Sequence, residues 1–173
     1  MGFLLQTIHL TIIVGANNRT LLTPERYEEV DVEDTTDKKL EGDTWIMPCE
    51  GRIVGEYGEI RPTHVHNGID IAVPVGIPVK AVADGVVYYA GNNDPYGYGN
   101  YVIITHSING EIFTSEYGHL SSWNVKLGQQ IKKGQILGKS GNTGHSQGPH
   151  VHLTIRKGKY KGTPVNPNQY IEY

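Results

Sequence analysis

Apolar positions in this chain alternate with a period of two over short runs, and no run of useful length shows the three-to-four spacing of a helix. Ile69, Ile71 and Val73 alternate with Asp70 and Ala72, which predicts a strand within Gly68 to Val75. Pro78 to Ala90 follows with Val79, Ala81, Ala83 and then Val86, Val87, Tyr88 and Tyr89, a pattern suited to a sheet. Asn100 to His106 is a β-branched run, and Asn109-Gly110 separates it from Glu111 to Tyr117, a hairpin signal of the type I′ kind. Gln129 to Ile131 and Gln135 to Gly138, joined through Lys132-Lys133-Gly134, predict a second tight pair. The last predicted strand runs from His150 to Arg156, and Asn166-Pro167 is expected to cap one terminal helical turn. The expected fold class is mainly β: an antiparallel β-sheet domain with little helix.

The pattern differs before residue 45. Ile8 to Val14 is β-branched and reads as a strand. It has no basic residue ahead of it, is too short to span a bilayer, and Val14-Gly15-Ala16 is a poor cleavage site, so a signal peptide is not expected. Thr23-Pro24-Glu25-Arg26 resembles a short helix start. Up to Thr44 there are nine acids against four bases, a balance of −5, which leaves +2 for the rest. Glu28 to Asp43, acidic and nearly free of large apolar residues, reads as a linker or a solvated face. Residues 1–45 are therefore expected to form an extension that could attach the chain to a larger assembly, and residues 46–173 the folded domain. No transmembrane segment is expected.

Composition narrows the chemistry. With 38% hydrophobic and 19% charged residues, the bulk is globular rather than disordered. A net charge of −3 gives no electrostatic case for a nucleic-acid partner. The single cysteine, Cys49, permits neither an internal disulfide framework nor a Cys-rich zinc site, and reads as a small semi-buried hydrophobe. Any metal must then be held by carboxylates and by some of the eight histidines. Tyr outnumbers Phe 11 to 2 and Gly reaches 22, which suits a turn-rich β protein with a wet, aromatic-lined groove.

Two pairs of residues carry the candidate chemistry. His66 and Asp70 stand four apart, and the strand alternation places Asp70 opposite the apolar face, where a carboxylate among such neighbours needs a partner. In His150-Val151-His152 both imidazoles point to one side of a strand while Val151 points to the core. Two imidazoles and a carboxylate make the ligand set of a catalytic zinc site with an open fourth position. His119, within Tyr117-Gly118-His119-Leu120-Ser121, could supply a base that is not a ligand.

These blocks come in a recognisable order. His66-Asn67-Gly68-Ile69-Asp70, Tyr117-Gly118-His119-Leu120-Ser121 and Gly138-Lys139-Ser140-Gly141-Asn142-Thr143-Gly144, closing on Gly148-Pro149-His150-Val151-His152, resemble the signature of lysostaphin-type (LytM-like) zinc metalloendopeptidases over about residues 46 to 173. The resemblance implies one zinc held by His66, Asp70 and His152, with His119 and His150 as the non-ligand catalytic pair. It also implies an antiparallel sheet with a groove floored by the metal. The implied activity is hydrolysis of peptide bonds in bacterial peptidoglycan, in the cross-bridge or the stem peptide. That substrate in turn implies an extracellular or cell-wall-facing place of work: secreted, periplasmic or virion-associated. Where the family often carries Glu two residues after the last ligand, this chain has Thr154, on the same strand face as His150 and His152, as a weaker acceptor.

The remaining candidates are read as ordinary structure. His64 is taken as a solvent-facing or outer-layer histidine, His106 as structural, His9 as outside the domain, and His145 as a loop residue rather than part of the groove wall. Tyr96, Tyr98 and Tyr101 fit either a substrate wall or the filling of a Gly-rich loop, and Lys132, Lys133 and Lys139 a solvated surface. The rival to hydrolysis is a silent relative that binds peptidoglycan or activates another hydrolase, but such relatives lose ligands and here none is missing. The Val125 to Leu137 stretch resembles the hairpin of biotinyl and lipoyl carrier domains, yet no modifiable Lys sits in the required context.

Overall fold

The computed structural model describes residues 45–94 and 97–172. The segment Ile8 to Val14, the helix start at Thr23, the acidic stretch Glu28 to Asp43 and Tyr96 lie outside the described residues.

Thirteen strands and one 3-10 turn make up the described elements: β1 (Trp45–Ile46), β2 (Arg52–Gly55), β3 (Ile69–Ala72), β4 (Pro78–Lys80), β5 (Gly85–Gly91), β6 (Asn100–Ile108), β7 (Glu111–Leu120), β8 (Ser122–Trp123), β9 (Gln130–Ile131), β10 (Ile136–Lys139), β11 (His150–Lys157), β12 (Thr163–Val165) and β13 (Ile171–Glu172). The principal sheet runs β2-β3-β11-β7-β6-β5-β9, with β12 also paired to β11. Its pairings are antiparallel throughout. A small sheet orders β4-β10-β8, and β1 pairs with β13 in parallel. The fold is mainly antiparallel β, as the alternation predicts, and no described helix is long and apolar enough to cross a membrane.

Alternation in sequence becomes two faces of one sheet. Ile69, Ile71, Val151, Leu153 and Ile155 are fully buried on the core side, where Trp45, Leu120 and Leu137 complete the packing. The hairpin between β6 and β7 turns at Asn109 and Gly110, both at positive φ (52° and 77°), the type I′ geometry whose twist matches its strands. Asn166 caps the terminal turn Pro167–Gln169 through its side chain, which accepts from the Asn168 amide. Cys49 is buried, and burial pushes its thiol up to about 11, so it behaves as a small hydrophobe.

The sheet pattern over Pro78 to Ala90 resolves into β4 and β5, which belong to different sheets, because the chain turns at Ala81–Asp84 and Val82 donates its amide to the Tyr117 hydroxyl at 2.9 Å. One sequence expectation needs correction: β9 and β10 do not pair with each other. β9 adds to β5, whereas β10 lies between β4 and β8. The turn between them is tied instead to the 81–84 corner: Gly134 donates to the Ala81 carbonyl at 2.9 Å, and Asp84 accepts from the Lys133 amide at 2.7 Å and the Lys132 ammonium at 2.8 Å.

The same corner anchors a buried polar chain. His106, fully buried against Trp45, donates from Nδ1 to the Asp84 carbonyl at 2.7 Å. Its Nε2 lies 2.8 Å from Ser115 Oγ, which is in turn 3.0 Å from the Tyr117 hydroxyl. The structural reading of His106 fits this placement. Burial pushes its imidazole down to about 4, so folding holds it neutral. The unfolded chain takes up that proton below its ordinary value near 6.5, so stability falls with pH between about 6.5 and 4. The share lost is about 3 kcal/mol at the acid end. Urea titrations of wild type and His106→Gln at pH 7, 5.5 and 4 check this: the variant has the shallower acid decline, and parallel declines would refute the assignment.

Candidate metal centre

The register between β3 and β11 sets His152 directly opposite Asp70, and His150 opposite Ala72. On its other side β11 sets His152 opposite Gly118 of β7, one residue before His119. His66 enters from the loop before β3. Its approach depends on Gly68, where a Cβ would stand 2.2 Å from the Leu153 carbonyl oxygen, so a larger residue would push the His66–Asp70 segment off β11.

His66, Asp70 and His152, all buried, bring their ligand atoms within 4.8 Å of one another. Asp70 Oδ1 lies 2.8 Å from His152 Nδ1 and 3.2 Å from His66 Nε2, and the two nitrogens are 3.1 Å apart. Donors placed 2.0–2.1 Å from one tetrahedral ion would stand about 3.3 Å from each other, close to this spacing.

The far atom of each group is already engaged. His66 Nδ1 donates to the Glu56 carbonyl at 2.8 Å, and a carbonyl can only accept, so Nε2 carries the lone pair. Asp70 Oδ2 accepts from Arg61 at 2.6 Å, leaving Oδ1 turned inward. His152 Nε2 is 2.8 Å from Thr154 Oγ1, whose hydroxyl reaches Asn67 Oδ1 at 3.4 Å, while Asn67 donates onward to the Tyr98 hydroxyl at 3.0 Å. With Nε2 of His152 as the donor, each hydrogen in this relay is used once, and Nδ1 is left as a bare lone pair. Three lone pairs thus face a common point and call for a cation. Burial pushes His152 down to about 4, so near neutral pH that cation is not a second proton on this ring. Burial by itself would raise the Asp70 carboxyl, but the imidazoles beside it and the Arg61 guanidinium hold it well below the usual carboxylate range. The donor set, two imidazole nitrogens and one carboxylate oxygen with a supporting outer layer, fits zinc.

His119 and His150 face the same point from across the groove. Each spends Nδ1 on a backbone carbonyl at 2.7 Å, of Thr143 and of Gly148 respectively, and so keeps Nε2 for the groove. Their rings are 4.5 Å apart, and His150 Nε2 is 3.5 Å from Asp70 Oδ1. Burial lowers the His119 imidazole below its ordinary value, which favours the neutral, proton-accepting form near neutral pH. His119 also holds a positive φ of 61°, a conformation costing a non-glycine residue about 1 kcal/mol or more. Its amide donates to the Tyr98 carbonyl at 2.7 Å, and the loop carrying Thr143 is locked to that of Tyr98 where Gly144 and Gly99 meet backbone to backbone. A Cβ on Gly144 would stand 2.3 Å from the Gly99 nitrogen.

The groove around these groups encloses about 1370 Å³. The structure therefore brings together all five residues picked out in the sequence. Tyr98 belongs to the wall: its ring stacks on His152 at 5.1 Å and meets His119 edge-on at 6.4 Å. His64 is exposed and lines the groove. His145 also lines it, against expectation, with its amide tied to the Gly97 carbonyl at 2.7 Å. Arg61, Asn67 and Thr143 also support the site, although the sequence motifs assign them no role. Asn67 follows a ligand directly, a position that could have flagged it. Arg61 and Thr143 act through contacts that their spacing does not reveal.

A groove over an antiparallel sheet, with two imidazoles and a carboxylate converging and two further imidazoles opposite, is the architecture of lysostaphin-type metallopeptidases. Residues 64–167 match the model of Peptidase family M23, and the chain belongs to that family. It is 46% identical over 101 residues to the peptidoglycan DD-endopeptidase ShyA of Vibrio cholerae, covering 58% of this chain and 22% of that protein. It is 39% identical over 128 residues to the murein hydrolase activator NlpD of Escherichia coli, covering 74% of this chain and 31% of that protein. The chain thus spans less than a third of the length of these relatives. Among solved structures it is similar to the catalytic domain of the antimicrobial peptidase lysostaphin from Staphylococcus simulans, with a TM-score of 0.58 and 35% identity, covering 69% of this chain and 89% of that one.

Thr154→Val removes the acceptor for His152 Nε2 with little change in shape. Loss of such an outer partner typically weakens metal binding 10–100-fold. Competition titration with a zinc chelator measures this, and unchanged affinity would show that Thr154 does not support the site.

Proposed function

We propose that this protein is a zinc-dependent endopeptidase that hydrolyses peptide bonds of bacterial peptidoglycan, in the cross-bridge or the stem peptide. The observation that carries the reading is the convergence of three ligand atoms, from His66, Asp70 and His152, within 4.8 Å of one another and opposite His119 and His150. Residues 46–173 form the peptidase domain in this reading, and residues 1–45 an extension able to attach it elsewhere. The place of work is the cell wall, outside the cytoplasm.

His66, Asp70 and His152 would hold a zinc ion, which would supply Lewis acidity toward a carbonyl and toward the attacking water. The chain's own residues do the rest. His119 and His150, each with its Nε2 turned to the groove, take a proton from the attacking water and return one to the departing amine. Whichever of the two is protonated stands as a donor to the developing oxyanion. Arg61 keeps Oδ2 of Asp70 turned outward so that one oxygen faces the metal point. The groove holds an extended peptide against the sheet, with Tyr98 as one wall.

The similarity to NlpD, described as a hydrolase activator, keeps a non-catalytic role in view. Against it stands the complete set of five residues, each with the hydrogen bonds that orient it. Zinc content and lysis of purified cell walls, measured together, separate the two. Wild type is expected to hold about one zinc and lyse walls, with both properties lost on chelation and in His152→Ala. His119→Ala is expected to keep its zinc and lose activity by about 10²–10⁴-fold. A folded protein that binds no metal after zinc is added back would overturn the enzymatic reading. One that binds zinc yet cuts no wall would leave the binding role.

A further inference from the structure

The face of the sheet that carries His152 continues beyond the metal point. Along β11 the next residues on that side are Thr154 and Arg156. Across the sheet Thr154 stands opposite Glu116 of β7, which stands opposite Ile103 of β6. Above this row lies a second cavity of about 270 Å³, lined by Tyr98, Tyr101, Glu116, Arg156, Tyr160 and Lys161, with Ile103 at its base. Tyr98 and Arg156 line the catalytic groove as well, so the two spaces share a wall.

The chemistry of this cavity is distinctive. Glu116 is 3% exposed, and its carboxylate accepts from Arg156 Nε at 2.8 Å and Nη2 at 3.4 Å. Arg156 also donates from Nη1 to the Gly162 carbonyl at 3.2 Å, which fixes the guanidinium as a rigid part of the floor. This pair cancels in charge, so Lys161 leaves the lining with one surplus positive charge. Lys161 is exposed, stands at a positive φ of 69°, and holds its ammonium 5.8 Å from the centre of the Tyr160 ring. Aromatic faces, a fixed ion pair and one adjustable cation suit an extended peptide residue bearing a carboxylate. The four steps from His152 to Arg156 span roughly 13 Å along the strand, about the reach of four residues of extended peptide.

We propose that this cavity is a specificity subsite for a carboxylate of the substrate peptide, within about four residues of the bond that is cut. Lys161 supplies the charge and the rings of Tyr101 and Tyr160 flank the chain. The inference rests on the peptidoglycan reading, whose stem peptides carry free or amidated carboxylates, and it assigns the choice between those forms to this cavity. Tyr98 joins the two spaces, since its ring packs on His152 while its hydroxyl accepts from Asn67.

Binding, which needs no turnover, tests the subsite separately from hydrolysis. A soluble stem tetrapeptide with free carboxylates, and the same peptide with its carboxylates amidated, would be titrated into the zinc-loaded protein and followed by NMR. The free peptide is expected to shift the Tyr160–Gly162 amides and Arg156 Nε, and amidation to weaken binding at least tenfold. Lys161→Asn, chosen because Asn tolerates positive φ, is expected to abolish that preference at unchanged zinc content, and Tyr160→Ala to weaken both peptides alike. Shifts confined to the His66–His119 groove, or equal affinity for the two peptides, would overturn the proposal even if wall hydrolysis is found. A carboxylate preference at Tyr160–Gly162 in a protein that cuts no wall would uphold the subsite while the hydrolase reading fails.

Discussion

The antiparallel register of β11 against β3 is the constraint on which the site depends. It puts His152 across from Asp70 and sends Val151 and Leu153 into the core with Ile71 and Ile69. A slip of one residue would exchange the faces of the whole strand, burying imidazoles in the apolar layer and exposing Val151 and Leu153. The hydrophobic core therefore does more than stabilise the domain: its demand that these apolar residues be buried fixes which polar residues face the groove. Gly68 serves the same register, because only a residue without a side chain lets the His66 loop lie against the Leu153 carbonyl.

Around that register the outer hydrogen bonds decide what each polar atom can do. Removing the Glu56 carbonyl, Arg61 or Thr154 would delete no donor from the metal point, but would free a ring or a carboxylate to turn. Burial makes this outer layer costly to leave incomplete, since a buried polar group without a partner loses its water and gains nothing in return. Thr154 meets the need with a neutral oxygen that passes the interaction on to Asn67 and Tyr98. The wall of the groove and the ligand His152 are thereby held as one unit.

Much of this was legible in the sequence, for a physical reason. Period-two alternation reports directly on which face of a strand is buried, so the facing of Asp70, of His150 and His152, and of Val151 followed from spacing alone. The Asn109-Gly110 hairpin was legible because two consecutive residues at positive φ admit few residue types. The partnership of β9 and β10 was not legible. Their separation is set by bonds from Asp84 and Ala81, some fifty residues earlier in the chain, and a three-residue link looks the same whether its strands pair or part. The place of His145 is hidden in the sequence on similar grounds, because it comes from a bond to Gly97. Arg61 is silent in the sequence because nothing in its spacing from Asp70 shows that a short loop folds it back.

The histidines show where sequence reading ends and geometry begins. His66, His106, His119 and His150 each donate Nδ1 to a backbone carbonyl, yet only three of them face the groove. What separates His106 is the partner of its second nitrogen: Ser115 closes a dry chain on the far side of the sheet, whereas the others turn Nε2 toward the metal point or the groove. His152 is the exception in the set. It sits mid-strand, where its own backbone is committed to two neighbouring strands, and it turns Nδ1 to Asp70 while a side-chain oxygen takes Nε2. Residue type and spacing can nominate an imidazole, but its role follows from which nitrogen the surrounding backbone has already engaged.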